Sequence, residues 1–197
     1  MEEIVRQVMA AVEKSGLVEI EVSARHVHLT QSDFEILFGK GKTMTPKRDL
    51  SQPGQYLAAE RVDIIGPKRK MTNVAVLGPV RKDTQVELSR SDCIALGVKA
   101  PLRESGDVAG SGQIRIEGPC GAIDIPQGVI VVPTEMAEKL GLHDKQRVSV
   151  EAITERPVVF KDVIIRVSDN FRFRMHVDFD EANGADISGF TLGKIIR

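Results

Sequence analysis

Val18-Glu19-Ile20-Glu21-Val22 alternates apolar and acidic side chains, and Ala24-Arg25-His26-Val27-His28-Leu29-Thr30 follows at once. Such alternation marks a half-buried strand, because successive side chains leave opposite faces of an extended chain. Working outward, short β-rich runs recur at 62–65, 74–77, 85–88, 113–116, 128–132, 147–152, 158–167 and 172–177. Turn signals separate them, among them Gly66-Pro67, Gly78-Pro79, Ser105-Gly106-Asp107 and Gly118-Pro119. Helical stretches are few and brief, at 31–38, 89–96 and 134–140, with Thr30 and Thr134 placed to cap the first and third. Many short strands without βαβ alternation predict a mainly β fold of the barrel or sandwich kind.

Ahead of this lies Met1-Glu2-Glu3-Ile4-Val5-Arg6-Gln7-Val8-Met9-Ala10-Ala11-Val12. Ile4, Val5, Val8, Met9 and Val12 form one apolar stripe at helical spacing, and Gly16 ends it. An amphipathic helix is expected over 1–16. It either docks on its own domain or serves as a detachable segment for a partner.

Composition narrows the classes of function. The 197 residues carry 27 Lys and Arg against 28 Asp and Glu, a net charge of -1. A nucleic-acid binder ordinarily carries a basic excess, so no nucleic-acid partner is expected. No apolar run reaches the roughly 20 residues of a membrane-spanning helix. Cys93 and Cys120 are too few for a disulfide framework and are expected to be buried, inert thiols in a reducing, cytoplasmic setting. The two acids at the start and the charges within the apolar stripe do not make a secretory signal.

There is a faint internal echo. A strand near 18–24 leads to a short helix ending Leu37-Phe38-Gly39, and a strand near 129–132 leads to one ending Lys139-Leu140-Gly141. Two related half-domains follow from it, with a boundary near 125–128.

Three clusters carry chemistry. His26 and His28, two apart on an extended chain, point the same way and can offer two imidazoles to one metal ion or stand as ordinary hydrogen-bonded histidines. Glu87, at the end of the run Gln85-Val86-Glu87, is a candidate third ligand or a plain strand-end carboxylate. His176 shares one face of its strand with Arg172, Arg174 and Asp178, opposite Phe171, Phe173, Met175 and Val177. The acidic stretch from Asp178 to Asn183 reads as a turn able to hold a divalent ion, without EF-hand spacing. Arg81 and Arg103, on Gly- and Pro-containing loops, suit bidentate binding of phosphate or carboxylate.

Taken together, Arg25-His26-Val27-His28-Leu29-Thr30, Asp49-Leu50-Ser51-Gln52-Pro53-Gly54-Gln55-Tyr56, Val76-Leu77-Gly78-Pro79-Val80-Arg81, Arg103-Glu104-Ser105-Gly106-Asp107 and Met175-His176-Val177-Asp178 resemble the PduL-type phosphate acyltransferases, the phosphate propanoyltransferase family. The resemblance runs in order from about Val18 to the C-terminus. It implies two small β-barrel domains capped by short helices: residues 25–127 in the first, and 17–24 with 128–197 in the second, behind the helix at 1–16. It implies a zinc-dependent acyltransferase that interconverts short-chain acyl-CoA and phosphate with acyl phosphate and CoA. His26, His28 and Glu87 match the ligands of one zinc ion, His176 matches one ligand of a second, and Arg81 matches the phosphate-binding arginine. It further implies a cytoplasmic protein, in many members enclosed in a bacterial microcompartment through the N-terminal helix, with shell or core proteins as partners and self-assembly left open.

One departure stands out. The family carries a second Arg-His-x-His motif after the strand matching 128–132, but here Val132 runs straight into Pro133-Thr134-Glu135-Met136. His143 and Glu135 do not obviously replace the missing imidazoles. The alternative expectation is therefore a catalytically degenerate homologue that binds CoA or a partner without turnover, such as a microcompartment core component. A two-histidine, one-carboxylate set also suits iron chemistry in an unrelated barrel.

Overall fold

Residues 15–137, 142–167 and 172–196 are described in the computed structural model, together with Glu3, Gln7 and Ala11. The helix expected at 1–16 otherwise lies outside the described residues. The chain divides into two units: Ala24–Val132, and Met1–Ser23 with Pro133–Arg197. The architecture is mainly β, as the strand pattern predicts.

The central unit holds β2 (His26–His28), α1 (Gln31–Phe38), β3 (Pro46–Asp49), β4 (Tyr56–Ile65), β5 (Lys70–Gly78), β6 (Gln85–Glu87), α2 (Arg90–Leu96), β7 (Gly112–Glu117) and β8 (Ala122–Ile130). Its sheet order is β3-β4-β5-β2-β6-β8-β7, and β4 also pairs with β7, so the sheet curls until β7 meets β4, with β3 attached at the outer edge of β4. Inside lie Val27, Leu29, Phe34, Leu37, Ile64, Val76, Val86, Leu96, Ile116 and Val129. β8 runs unbroken through residues 125–128 and pairs with β6 and β7. Both helices match expectation. Thr30 caps α1 by accepting from the Asp33 amide, and Ser89 caps α2 by accepting from the Asp92 amide.

The flanking unit is a closed six-stranded barrel. It consists of β1 (Leu17–Val22), β9 (Glu135–Ala137), β10 (Arg147–Ala152), β11 (Val159–Arg166), β12 (Arg174–Val177), α3 (Phe179–Gly184) and β13 (Thr191–Ile196). Val18, Ile20, Val150, Val163, Ile165, Met175 and Val177 fill its interior. Alternation fixes which face is which: on β12, Met175 and Val177 are buried, as is Phe173 just before it, while Arg174 and His176 remain partly exposed.

Three expectations need correction. The run at 134–140 does not open a helix. Glu135–Ala137 is a strand, parallel to β11 and antiparallel to β12, and residues 138–141 lie outside the described set. Thr134 therefore caps nothing there; its hydroxyl donates to Glu181 instead. A three-residue strand is too short for its period to show in sequence. The stretch after Asp178 is helix α3, closed by a reciprocal capping box between Asp178 and Glu181, so those two carboxylates serve backbone amides. Cys93 is buried, but Cys120 is exposed. No described helix is long and apolar enough to cross a membrane.

The two units repeat one topology. In the central unit β2 lies parallel to β5 and antiparallel to β6, β6 is parallel to β8, and β7 joins β8 to β4. In the flanking unit β9 lies parallel to β11 and antiparallel to β12, β12 is parallel to β1, and β13 joins β1 to β10. The echo in the sequence is this duplication.

Candidate metal centre

The histidines of β2 share a face because two residues restore the pleat. Val27 between them enters the core, while His26 and His28 are themselves buried, at 5% and 2% exposed. The ladder then supplies the third group: His26 stands opposite Glu87 on β6 and His28 opposite Gln85.

The side chains converge. His26 Nε2 lies 3.2 Å from His28 Nε2 and 3.3 Å from Glu87 Oε2, and His28 Nε2 lies 3.6 Å from Glu87 Oε1. The rings are perpendicular, with centroids 4.9 Å apart. Among the described residues this is the group of three whose ligand atoms all fall within 4.8 Å of one another. A tetrahedral ion with bonds of about 2.0–2.1 Å would space its ligand atoms by roughly 3.3 Å, so the donor set fits a divalent metal. The tautomer fits as well. His26 Nδ1 lies 2.8 Å from the Ala24 carbonyl, which can only accept, so the neutral ring turns its lone pair at Nε2 toward the other two groups. His28 Nδ1 is buried without a hydrogen-bond partner.

Electrostatics sort the protons. For His26, burial disfavours the imidazolium, but the charge and hydrogen bond of Glu87 outweigh it and raise the pKa above the ordinary value. Burial, helped by the positive charge of His26 and Arg81, pushes His28 down to about 4. Burial acts to raise Glu87, yet the two histidines overcome it and hold the carboxyl well below its usual range.

Arg81 completes the cluster. Its amide donates to the Leu29 carbonyl at 2.8 Å, tying it to the end of β2. Its Nη1 donates to Ser105 Oγ at 3.0 Å, and Ser105 in turn donates to Glu87 Oε1 at 2.9 Å. Gln85 Nε2 reaches both Ser105 and Glu87, while its Oε1 accepts from the Gly106 amide at 2.7 Å. One hydroxyl thus links the guanidinium to the carboxylate of the triad. In the sequence Ser105 stands in a turn and in one of the family-like segments; its linking role depends on a loop folding back onto β6, which spacing does not reveal.

A further support was not anticipated. Arg25, beside His26, makes a bidentate pair with the buried Asp92 on α2, Nε to Oδ2 at 2.9 Å and Nη2 to Oδ1 at 2.7 Å. It fastens the histidine strand to the helix that follows Glu87. Arg103, the other candidate anion binder, faces Asp107 at 3.3 Å.

His176 belongs to the flanking unit, on β12, where it faces Glu21 at 3.3 Å. Among the described residues, it joins no group of three converging ligands. Glu21, the carboxylate it faces, is already held by Arg174, an arrangement that does not suit the second metal ion that the resemblance implies.

Comparison with known proteins agrees with the motifs. The family model described as phosphate propanoyltransferase matches residues 19–188. A Clostridioides difficile phosphate propanoyltransferase is 45% identical over all of this chain and 97% of its own length. A Thermotoga maritima protein of that name is 47% identical, covering 98% of this chain and 95% of its own. One from Lachnoclostridium phytofermentans is 48% identical over 93% and 88%. With its motifs in order and nearly its whole length matched, the chain belongs to the phosphate propanoyltransferase family.

Proposed function

We propose that this chain is a phosphate acyltransferase that moves a short acyl group reversibly between coenzyme A and inorganic phosphate, with zinc held by His26, His28 and Glu87. The observation that carries the reading is the buried triad, linked through Ser105 to Arg81, in a chain of this family. Bound there, zinc supplies Lewis-acid chemistry suited to a thioester carbonyl or a departing thiolate. The Arg81 fork binds phosphate and offsets its charge, so that one oxygen is presented to the acyl carbon. The new bond is carbon to phosphate oxygen, the broken bond carbon to sulfur, and the sulfur leaves as the CoA thiolate. No protein nucleophile is required. Ser105 orients Arg81 and Glu87 together.

The departure in the second half supports a rival reading, binding of CoA or a partner without turnover. Incubation of the zinc-loaded chain with propanoyl-CoA decides between them. Phosphate-dependent CoA release, with hydroxylamine trapping of the acyl phosphate, supports the enzyme; no release with acetyl-, propanoyl- or butanoyl-CoA supports the rival. The apolar stripe of Ile4, Val5, Val8, Met9 and Val12 supports a docking segment of the kind that would carry the protein into a microcompartment through contacts with shell or core proteins.

Two further results are expected. Below the raised pKa of His26, zinc must displace a proton there. Because that pKa is raised, apparent zinc affinity falls about tenfold per pH unit as pH drops below it, and about a hundredfold per unit below about 4, where His28 also protonates. Competitive chelator titration from pH 3 to 8 reads both slopes. Arg25→Ala leaves the buried Asp92 carboxylate unpaired and loosens β2. It should weaken zinc binding by about 10–100-fold and lower the melting temperature, both read from titration and thermal unfolding.

A further inference from the structure

The duplication locates the counterpart of the triad in the flanking barrel. His26 pairs with Glu87 across β2 and β6; at the same step Glu135 pairs with His176 across β9 and β12. Continuing that register, Ala137 takes the position of His28, and Arg174 that of Gln85. The neighbouring strands differ more sharply. On the parallel partner of β6, Glu87 meets Ile130; on that of β12, His176 meets Glu21 and Arg174 meets Glu19. Where β5 continues past Val76 with Leu77, β11 brings Arg166 beside Ala137.

The charged residues satisfy one another within the barrel. Arg166 holds Glu135 at 2.9 Å. Arg174 bridges Glu19 at 2.8 Å and Glu21 at 3.1 Å, and Glu21 also faces His176 at 3.3 Å. Each of these three carboxylates is thus engaged by a guanidinium. All six side chains are 20–30% exposed. Two fixed guanidinium charges equal that of one divalent cation, and a cation entering here would have to displace both.

We infer that an arginine–carboxylate network, built on Arg166 and Arg174, stands in the flanking barrel in place of a metal ion, so that metal binds at one of the two repeated sites only. Arg174 and Arg166 are positioning residues: Arg174 holds Glu19 and Glu21 and fixes His176 through Glu21, and Arg166 holds Glu135.

The test uses the full chain, stripped of metal and titrated with cobalt(II), with bound metal counted and its visible absorption recorded. The parent should take up one equivalent. His176→Ala should keep that equivalent with an unchanged spectrum, while His28→Ala, or Glu87→Gln if the first fails to fold, should lose it. A second equivalent in the parent, or cobalt that survives His28→Ala and disappears when His176→Ala is added, would overturn the inference without touching the proposed acyltransferase site. In the metal-free chain Arg174→Met should lower the melting temperature by about 3–6 °C, and added cobalt should not restore this loss. An unchanged melting temperature would equally contradict the network.

Discussion

Arg81→Ala is expected to lower kcat/KM for phosphate-dependent CoA release by about 100–1000-fold, the usual loss when a preorganised charged donor is removed from a reacting centre. The reason is local. Arg81 is the guanidinium that reaches the triad through a single hydroxyl, and its charge is felt at both histidines. Phosphate repels Glu87 unless a fixed cation compensates it. Lysine should restore only part of the loss, because its point charge lacks the fork that engages two oxygens at once. The same variant should retain its zinc, since Arg81 is not among the three converging groups. Steady-state kinetics with phosphate varied, beside metal analysis, reads both effects. A rate within twofold of the parent would remove Arg81 from the reaction.

His28→Ala should have a comparable effect by another route. It removes one of two buried imidazoles from the converging group. Loss of an outer partner alone weakens metal sites by about 10–100-fold, and loss of a direct ligand should exceed that. It also removes the neutral member of the triad, the one that burial holds ready to bind without releasing a proton. Zinc content and CoA release should therefore fall together. His28→Gln, closer in size, separates this from a collapse of the core around Leu29 and Phe34: circular dichroism should remain that of the parent while zinc is lost.

Much of this arrangement was legible in the chain. Alternation in Val18-Glu19-Ile20-Glu21-Val22 and in Arg147-Val148-Ser149-Val150-Glu151-Ala152 marks strands whose buried faces match expectation. The two-residue spacing of His26 and His28 is enough to place both rings on one side. What joins Glu87 to them is register between strands, a long-range property that spacing cannot express. Gly193 interrupts the alternation of β13 and hides that strand in the sequence. A Cβ there would meet Val150 at 2.7 Å and Ile20 at 3.0 Å, so the glycine answers to barrel closure rather than to a turn. β9 was hidden in a run whose Thr-Glu start also suits a helix. The Arg25–Asp92 pair, 67 residues apart, and the ion pairs of Arg166 and Arg174 depend on neighbours that only the folded ladder supplies.

The most direct measurement follows CoA release from propanoyl-CoA in phosphate while zinc is returned stepwise to the chelated chain. Activity should be absent without metal, rise in proportion to bound zinc, and remain absent at every zinc level in His28→Ala. Full phosphate-dependent turnover by the stripped chain, or by His28→Ala, would contradict a reaction centred on zinc held by His26, His28 and Glu87.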